Sequence, residues 1–336
     1  MPKKPHPWLK AIGNIFLWLL LSGMTAWGAL AIYFSCLPEP ARVILSVFFA
    51  LIQFAILFFV RPKRLAYAVF STLFVTVLLG WFSMEPSNTR EWQADVALLP
   101  HAVIEGNRVT VYNIRNCEYR SETDYTVRYY NKTFDLSKLD SIDLYLVNWG
   151  IKYISHTMIS FGFQGDQYLC ISIETRKEKG EAYSTIKGFF RQYELYYVVA
   201  DERDLVRLRT NYRKDETVYL YRLKGSKEIS RSIFLDYIHT INRLETTPEW
   251  YNALTGNCTT QIRGHARPYT GNTKWDWRIV LNGSVDEMAY ENDLLNQSLP
   301  FETLKQKSVI NKRAKALEQT PDFSIRIREN LPGMGR

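Results

Sequence analysis

Apolar residues are concentrated in three long runs in the first quarter of the chain. The runs cover residues 11–34, 43–60 and 65–84, and the sequence after them contains no comparable run. About 20 apolar residues in a helix, at ~1.5 Å per residue, match the ~30 Å hydrocarbon core of a bilayer. We therefore expect residues 1–86 to form a membrane anchor with three transmembrane helices, and residues 87–336 to form a soluble domain.

Two other interpretations of the first run are less favoured. The run exceeds the ~7–15 residue apolar core of a cleaved signal peptide, and two more apolar runs follow it. The pair Ser35-Cys36 suggests a lipoprotein attachment site, but Tyr33 occupies a position where a small aliphatic residue is expected.

After the third run the pattern changes to short alternating segments separated by turns. Period-two alternation predicts strands, and apolar residues at helical spacing predict helices. The predicted strands are residues 108–114, 141–149, 153–163, 167–175, 195–200 and 217–223, and the predicted helices are residues 202–210, after an Asp201 cap, and 229–244. This mixed order of strands and helices predicts an α+β fold.

Basic residues at the ends of the apolar runs predict their orientation. They occur before the first run and between the second and third, whereas residues 36–42 carry one acid and one base. The positive-inside rule places the amino terminus and the second turn in the cytoplasm, so the chain from about Glu85 lies outside. In a Gram-negative bacterium this is the periplasm, with the anchor in the inner membrane. The basic residues are Lys3, Lys4, Lys10, Arg61, Lys63 and Arg64.

The net charge of +8 arises from interspersed acids and bases, with an excess of bases at the two ends. A basic tail from about residue 305, which includes Arg326, Arg328 and Arg336, is expected to be solvated; contact with anionic lipid headgroups is the alternative. The sequence contains no glycine-rich phosphate loop and no zinc-finger spacing, so no cofactor or metal is expected. Nucleic acid is not an expected partner outside the cytoplasm.

Four cysteines are present, at positions 36, 117, 170 and 258. An oxidising compartment permits a Cys117–Cys170 disulfide, although the sequence does not establish one. Cys258 follows the turn signal Gly256-Asn257 and precedes a segment that can begin a helix. A cysteine at a helix amino terminus is a candidate nucleophile, because the helix dipole favours the thiolate and free N–H groups can bind an oxyanion. A buried cysteine beneath a turn is the alternative.

Activation of a thiol requires a base, and the soluble part offers four histidines. His101 is expected in a linker, His239 on the second helix and His265 in a basic loop, whereas His156 lies within a predicted strand. A hairpin turn at Gly165 gives pairs whose numbers sum to 330, which sets Glu174 opposite His156 with Cβ atoms ~5 Å apart. A shift of one residue would instead oppose Thr175.

Six segments together resemble the Lnb N-terminal periplasmic domain family, which is named for a lipoprotein N-acyltransferase. They are residues 92–95 (WQAD), 112–116 (YNIRN), 155–163 (SHTMISFGF), 172–176 (SIETR), 188–194 (GFFRQYE) and 256–260 (GNCTT). The resemblance implies a permuted papain-like fold, similar to NlpC-type and lecithin:retinol acyltransferase-type domains. It also implies that Cys258 is the nucleophile, His156 the base and Glu174 an orienting third member. In Lnb-type acyltransferases further membrane segments follow this domain, whereas here they precede it.

The leading hypothesis is a membrane-anchored thiol acyltransferase or hydrolase that acts through an acyl-thioester. The Cys258 N–H, with support from Asn257, Thr259 and Thr260, is expected to bind the oxyanion. Phospholipid is the expected acyl donor, and a lipoprotein amino group the expected acceptor. One alternative is a periplasmic cysteine amidase or peptidase acting on cell-wall peptides, with an open groove near Trp250, Tyr251, Trp275 and Trp277. The other is a non-catalytic envelope scaffold in which Cys258 is buried and unreactive.

Overall fold

The computed structural model describes residues 7–271 and 275–334, which divide into two compact units. The first unit joins the chain up to Pro86 with the segment Ile186–Gln192, and the second comprises Ser87–Thr185 and the chain from Tyr193 onward. Lys3, Lys4 and Arg336, which entered the charge argument, lie outside the described residues.

Three long helices make up most of the first unit, as the apolar runs predict. They are α1 (Pro7–Tyr33), α2 (Glu39–Phe59) and α3 (Lys63–Phe82), and each is long and apolar enough to cross a membrane. Leu21, Leu57 and Phe70 are buried where the helices pack together. Phe16 and Phe59, by contrast, are 68% and 84% exposed. Apolar side chains on the outer surface are expected of helices surrounded by lipid, because no hydrophobic force favours their burial there.

The segment Ile186–Gln192 caps the carboxyl ends of two of these helices. Arg191 has a positive φ of 53° and donates hydrogen bonds to the carbonyl oxygens of Trp81, Phe82 and Met84 at the end of α3. Gln192 donates to the Phe34 carbonyl after α1 at 2.6 Å. The last carbonyls of a helix have no partner within the helix, so these side chains satisfy groups that would otherwise require water.

An eight-stranded sheet forms the centre of the second unit. Its order is β1-β2-β9-β8-β7-β6-β10, with β5 paired to β2 outside this path; β2 and β9 are parallel and the other pairs antiparallel. The strands are β1 (His101–Glu105), β2 (Arg108–Arg115), β5 (Tyr129–Asp135), β6 (Leu139–Asn148), β7 (Ser155–Phe163), β8 (Gln167–Arg176), β9 (Glu194–Ala200) and β10 (Thr217–Arg222), and β3 (Glu118–Tyr119) and β4 (Tyr125–Thr126) form a separate hairpin.

All six predicted strands occur in the sheet, with boundaries that shift by one or two residues. β1 and β5 are additional strands. His101 is therefore not in a linker: it begins β1 and stacks on Tyr112 of β2, with ring centroids 4.8 Å apart. Only Ala102 of β1 is buried, so the apolar alternation on which the other predictions depend is weak there.

Helices cover both faces of the sheet. They are α4 (Glu202–Arg207), α5 (Lys227–Thr246), α6 (Cys258–Thr270), α7 (Val285–Glu291), α8 (Phe301–Lys307), α9 (Asn311–Ala316) and α10 (Phe323–Arg326); a π-helical turn, Leu208–Tyr212, follows α4. Every residue of β7 and β9 is buried. Tyr197 of β9 packs with α5 on one face, whereas the adjacent Val198 packs with α4, α9 and α10 on the other. The observed architecture is thus mixed α and β, after three apolar helices.

One base of the carboxyl-terminal segment, Arg328, is buried, in contrast to the solvation expected from its charge. Arg328 is 4% exposed and donates to Asp143 at 2.8 Å and to Glu202 at 2.8 and 2.6 Å; both carboxylates are fully buried. Its guanidinium also lies 3.8 Å from the Tyr168 ring centroid. A basic residue that finds two buried carboxylates is held inside the fold, so charge alone gave the wrong environment.

Candidate active site

Cys258 is the first residue of α6, and so it lies at a helix amino terminus, as predicted. The Asn257 side chain caps the helix by accepting a hydrogen bond from the Thr260 N–H at 3.0 Å. Asn residues are strong amino-terminal caps because the short amide reaches a backbone N–H that lacks an intrahelical partner. The N–H groups of Cys258 and Thr259, in the first turn, also have no carbonyl four residues earlier within the helix. The Cys258 sulfur therefore lies at the positive end of the helix.

His156 lies in β7 near the end of its ladder with β8. The ladder runs from Phe163↔Gln167 to Met158↔Ser172, so its pair numbers sum to 330, as predicted. His156 and Glu174 lie two residues beyond the last pair; His156 pairs with Val147 of β6, and Glu174 with Tyr196 of β9. The His156 Nε2 and Glu174 Oε1 atoms are nevertheless 3.6 Å apart.

Ser172 connects the histidine and the carboxylate. Its Oγ is 2.7 Å from His156 Nε2 and donates to Glu174 Oε1 at 2.7 Å. A serine hydroxyl has one proton, and here it is given to the carboxylate, so the oxygen must accept from an Nε2–H. This assigns the imidazole tautomer: Nε2 carries hydrogen and Nδ1 is the nitrogen available for the thiol. Glu174 thus orients His156 mainly through Ser172, not by the direct contact that the sequence suggested.

Arg209, from the π-helical turn, holds the carboxylate in its ionised form. Its Nη2 is 3.3 Å from Glu174 Oε1, and its Nη1 is 3.1 Å from Glu216 Oε1. Burial raises the pKa of Glu174, but the charges of Arg209 and then His156 outweigh burial, so the pKa lies well below its usual value. Glu174 therefore remains an acceptor near neutral pH, as the tautomer assignment requires.

The thiol of Cys258 is acidic even though it is 6% exposed. Burial raises its pKa; the charge and hydrogen bond of His156, together with hydrogen bonds from the Thr157 hydroxyl and backbone N–H, outweigh burial and lower the pKa to about 6. An ordinary cysteine has a pKa of ~8.5. A large fraction of Cys258 is thus thiolate at neutral pH, which is the reactive form of a cysteine nucleophile.

Asn282 is a further neighbour of the sulfur that sequence reasoning missed. Its side-chain Nδ2 lies 3.6 Å from Cys258 Sγ and donates to Thr259 Oγ1 at 2.7 Å, while its Oδ1 accepts from the Ser155 N–H at 2.8 Å. Thr259 Oγ1 is also 3.0 Å from Thr157 Oγ1. Asn282 thereby ties the start of β7 to the start of α6.

The supporting residues named from the sequence have separate roles. The Asn257 side chain is used as a cap and in a 3.3 Å bond to the Ala253 carbonyl, and the Thr260 hydroxyl donates to the Asn257 carbonyl at 2.9 Å. Thr259 is the one whose hydroxyl faces the sulfur, at 3.9 Å. The geometry thus leaves the backbone N–H groups of Cys258 and Thr259 as the available oxyanion donors.

Cys117 and Cys170 have the opposite electrostatics to Cys258. All four cysteines are free, so Cys117 and Cys170 form no disulfide. Burial and the nearby Asp204 raise the pKa of Cys117 to about 12, and burial with Glu202 raises the pKa of Cys170 well above its usual value. Both thiols are therefore protonated at neutral pH.

His265 belongs to a different cluster. It lies within α6, not in a loop as expected, and its Nδ1 and Nε2 contact Asp236 at 2.6 Å and the Tyr197 hydroxyl at 2.7 Å. Seven residues of helix, at ~1.5 Å each, separate it from Cys258 by about 10 Å. His239 is on the exposed side of α5. Of the candidate bases, His156 is the one that reaches the sulfur.

The aromatic residues proposed to line an open groove are divided between two environments. Trp275 and Trp277 are 70% and 48% exposed, whereas Tyr251 is 9% exposed and Trp250 is partly buried beneath the Arg90 guanidinium. The two described cavities lie elsewhere. One of about 820 Å³ borders the hairpin turn at Gly165 and Arg328, and one of about 280 Å³ borders Cys117 and Arg207.

Part of the chain matches a known protein family. Residues 125–283 match the family described as the Lnb N-terminal periplasmic domain. No curated protein and no solved structure matches the chain. The matched range contains Cys258, His156, Ser172, Glu174 and Asn282, so the whole cluster lies within the region shared with this family.

Proposed function

The chain belongs to the Lnb N-terminal periplasmic domain family, and from this and its cysteine site we propose that it is a membrane-anchored thiol acyltransferase or hydrolase. The observation that carries the proposal is the acidic Cys258 thiol at a helix amino terminus beside a histidine whose tautomer is fixed by Ser172 and Glu174. Nucleophile, base and orienting group are the three parts that covalent acyl transfer requires.

In the proposed first step, His156 Nδ1 takes the thiol proton and the Cys258 sulfur attacks the carbonyl carbon of an acyl ester or amide. The tetrahedral oxyanion accepts hydrogen bonds from the first-turn N–H groups of α6. The carbon–oxygen or carbon–nitrogen bond then breaks, and the imidazolium donates its proton to the leaving group. An acyl-thioester on Cys258 remains.

In the second step an amine or water loses a proton to His156 and attacks the thioester. The carbon–sulfur bond breaks to release the Cys258 thiolate, and the His156 imidazolium returns its proton to the sulfur, which restores the starting thiol and neutral imidazole. Attack by an amine gives transfer and attack by water gives hydrolysis. Ser172 and Glu174 stabilise the imidazolium in both steps, because it donates Nε2–H toward an ionised carboxylate.

We propose a phospholipid as the acyl donor and a lipoprotein amino group as the acceptor, in the inner membrane of a bacterium. Three apolar helices and a periplasmic domain family support the location. The order histidine before cysteine, together with a cysteine helix against an antiparallel sheet, supports a permuted papain-like fold. Hydrolysis of cell-wall peptides receives less support, since Trp250 and Tyr251 do not lie on the exposed surface with Trp275 and Trp277.

The proposal is tested by intact-protein mass spectrometry of the full chain after a single turnover in phospholipid nanodiscs. We expect one added acyl mass on the parental chain, located on Cys258 and removed by neutral hydroxylamine, as thioesters are. Cys258→Ala should show no addition, and Cys117→Ala should retain the parental addition. An adduct on the Cys258→Ala variant, or the absence of any adduct with acyl lipids, would reject the thioester mechanism.

A further inference from the structure

Large apolar side chains are exposed around the cysteine site. They occur in the loop that precedes His156 and in the segment that precedes Asn282, and their exposed fractions run from 42% for Ile154 to 70% for Trp275. We name this set the aromatic rim; its members are Ile151, Tyr153, Ile154, Trp275, Trp277 and Leu281. Exposed apolar residues that occur singly need no explanation, but a contiguous group marks an interaction surface.

Backbone contacts show that the two halves of the aromatic rim adjoin each other. The Gly283 N–H donates to the Tyr153 carbonyl at 3.1 Å, and a Cβ at Gly283 would lie 2.1 Å from the Lys152 carbonyl oxygen. Such close packing requires glycine at this position. Since Asn282 contacts both Ser155 and Cys258, the aromatic rim adjoins the residues that surround the sulfur.

We propose that the aromatic rim is a bilayer-docking surface, which inserts into the headgroup region and admits an acyl lipid to Cys258. Trp and Tyr rings are amphipathic and concentrate at membrane interfaces. One exposed basic residue lies on the rim itself, since the Lys152 ammonium is 5.7 Å from the Tyr153 ring centroid, and a second, Arg267, is exposed on α6, the helix that begins at Cys258. Their charge complements anionic phospholipid headgroups.

The covalent linkage of the second unit to apolar helices also favours a bilayer as the partner. The second unit begins at Ser87, with four residues between it and the end of α3, and the chain enters the first unit again at Ile186–Gln192. Four extended residues span at most about 14 Å. Covalent linkage to membrane helices therefore gives the domain a high effective concentration of lipid, which makes even a modest apolar surface sufficient for docking.

Docking itself is tested by fluorescence quenching of the full chain in nanodiscs. The emission of Trp275 and Trp277 is obtained by subtracting the spectrum of the Trp275→Phe/Trp277→Phe variant from that of the parent. The tryptophans of the membrane helices contribute equally to both spectra and therefore cancel. We expect this difference to fall at least twofold when the phospholipids carry bromine near the headgroup. The matched control, Trp149→Phe, removes a partly buried indole that donates to Glu216 at 2.9 Å and should give a difference that bromine leaves unchanged.

The contribution of docking to catalysis rests on the proposed function and has its own test. We compare Tyr153→Ser/Trp277→Ser with Val103→Ser/Val309→Ser, whose valines are 46% and 39% exposed. The rim variant should form the Cys258 thioester about tenfold more slowly from bilayer phospholipid and at the parental rate from water-soluble p-nitrophenyl butyrate. The control variant should match the parent on both.

Each outcome of the two tests has a separate meaning. If bromine does not quench the emission of Trp275 and Trp277, the rim does not dock on the bilayer. The same result is expected if the rim instead binds another protein, and it overturns the proposal in that case too. Equal loss on lipid and butyrate overturns the contribution of docking to catalysis, because the substitutions then damage the site itself. If the parental chain forms no thioester from either substrate, the proposed function fails, and the quenching result alone still decides the docking surface.

Discussion

At the scale of single residues, Ser172 defines the tautomer of the candidate base. It accepts from His156 and donates to Glu174, and so it links the two side chains. Loss of this serine leaves Nε2–H without its acceptor and permits the proton to move to Nδ1, where it blocks the thiol. The resulting loss of base function is expected to exceed the loss of stability.

We predict that Ser172→Ala and Glu174→Gln each slow thioester formation by on the order of 10²-fold. Glu178→Gln is the matched control, since Glu178 is 37% exposed and pairs with Arg90, and it should react at the parental rate. Single-turnover rates and melting curves for all three variants provide the measurement. Parental rates for Ser172→Ala would show that Ser172 packs the site without orienting the imidazole.

Arg176 is unsuitable as a control, although its position two residues after Glu174 suggests one. It is 2% exposed, donates to the carbonyls of Val96 and Ala97, and lies 4.2 Å from the Trp92 ring centroid. Its replacement would leave buried carbonyls unpaired and reduce stability.

At the scale of elements, the sequence predicts what depends on local periodicity. The strand alternation, the Gly165 hairpin register, the Asp201 cap and the helix that begins after Gly256-Asn257 follow from neighbouring residues and are confirmed. Asn282 and Arg209 lie 24 residues from Cys258 and 35 from Glu174, and nothing local marks them. Such contacts arise from the packing of α6 and the π-helical turn against the sheet.

Arg328 is a second example of a contact that the local sequence does not predict, because its charge does not reveal its buried carboxylate partners. We predict that Arg328→Gln lowers the free energy of unfolding by about 3–5 kcal/mol, because it leaves Glu202 buried without a cation. Arg326→Gln should cost under about 1 kcal/mol, since Arg326 is 43% exposed and lies 3.9 Å from Glu329. Denaturant unfolding of both variants in detergent provides the comparison. Similar losses of unfolding free energy for the two variants would show that Arg328 contributes no more than a surface residue.

At the scale of the whole molecule, the family match and the three apolar helices support a membrane protein with a periplasmic domain. The positive-inside rule adds a specific topology. A reporter that is active only outside the cytoplasm should be active when fused after Arg90 and inactive when fused after Arg64. The reverse pattern would place Cys258 in the cytoplasm and remove the proposed acceptor.

The central claim is that Cys258 is a thiolate paired with His156. Because its pKa is lowered to about 6, iodoacetamide alkylation at pH 6 should be on the order of 100-fold faster than for a thiol of pKa ~8.5, which is largely protonated there. The rate should rise through pH 6 and level above pH 7, and His156→Ala should move that rise toward pH 8.5 or above. Mass spectrometry of the labelled cysteines gives the profile. A Cys258 profile that rises only near pH 8.5, or one that His156→Ala leaves unchanged, would contradict the account.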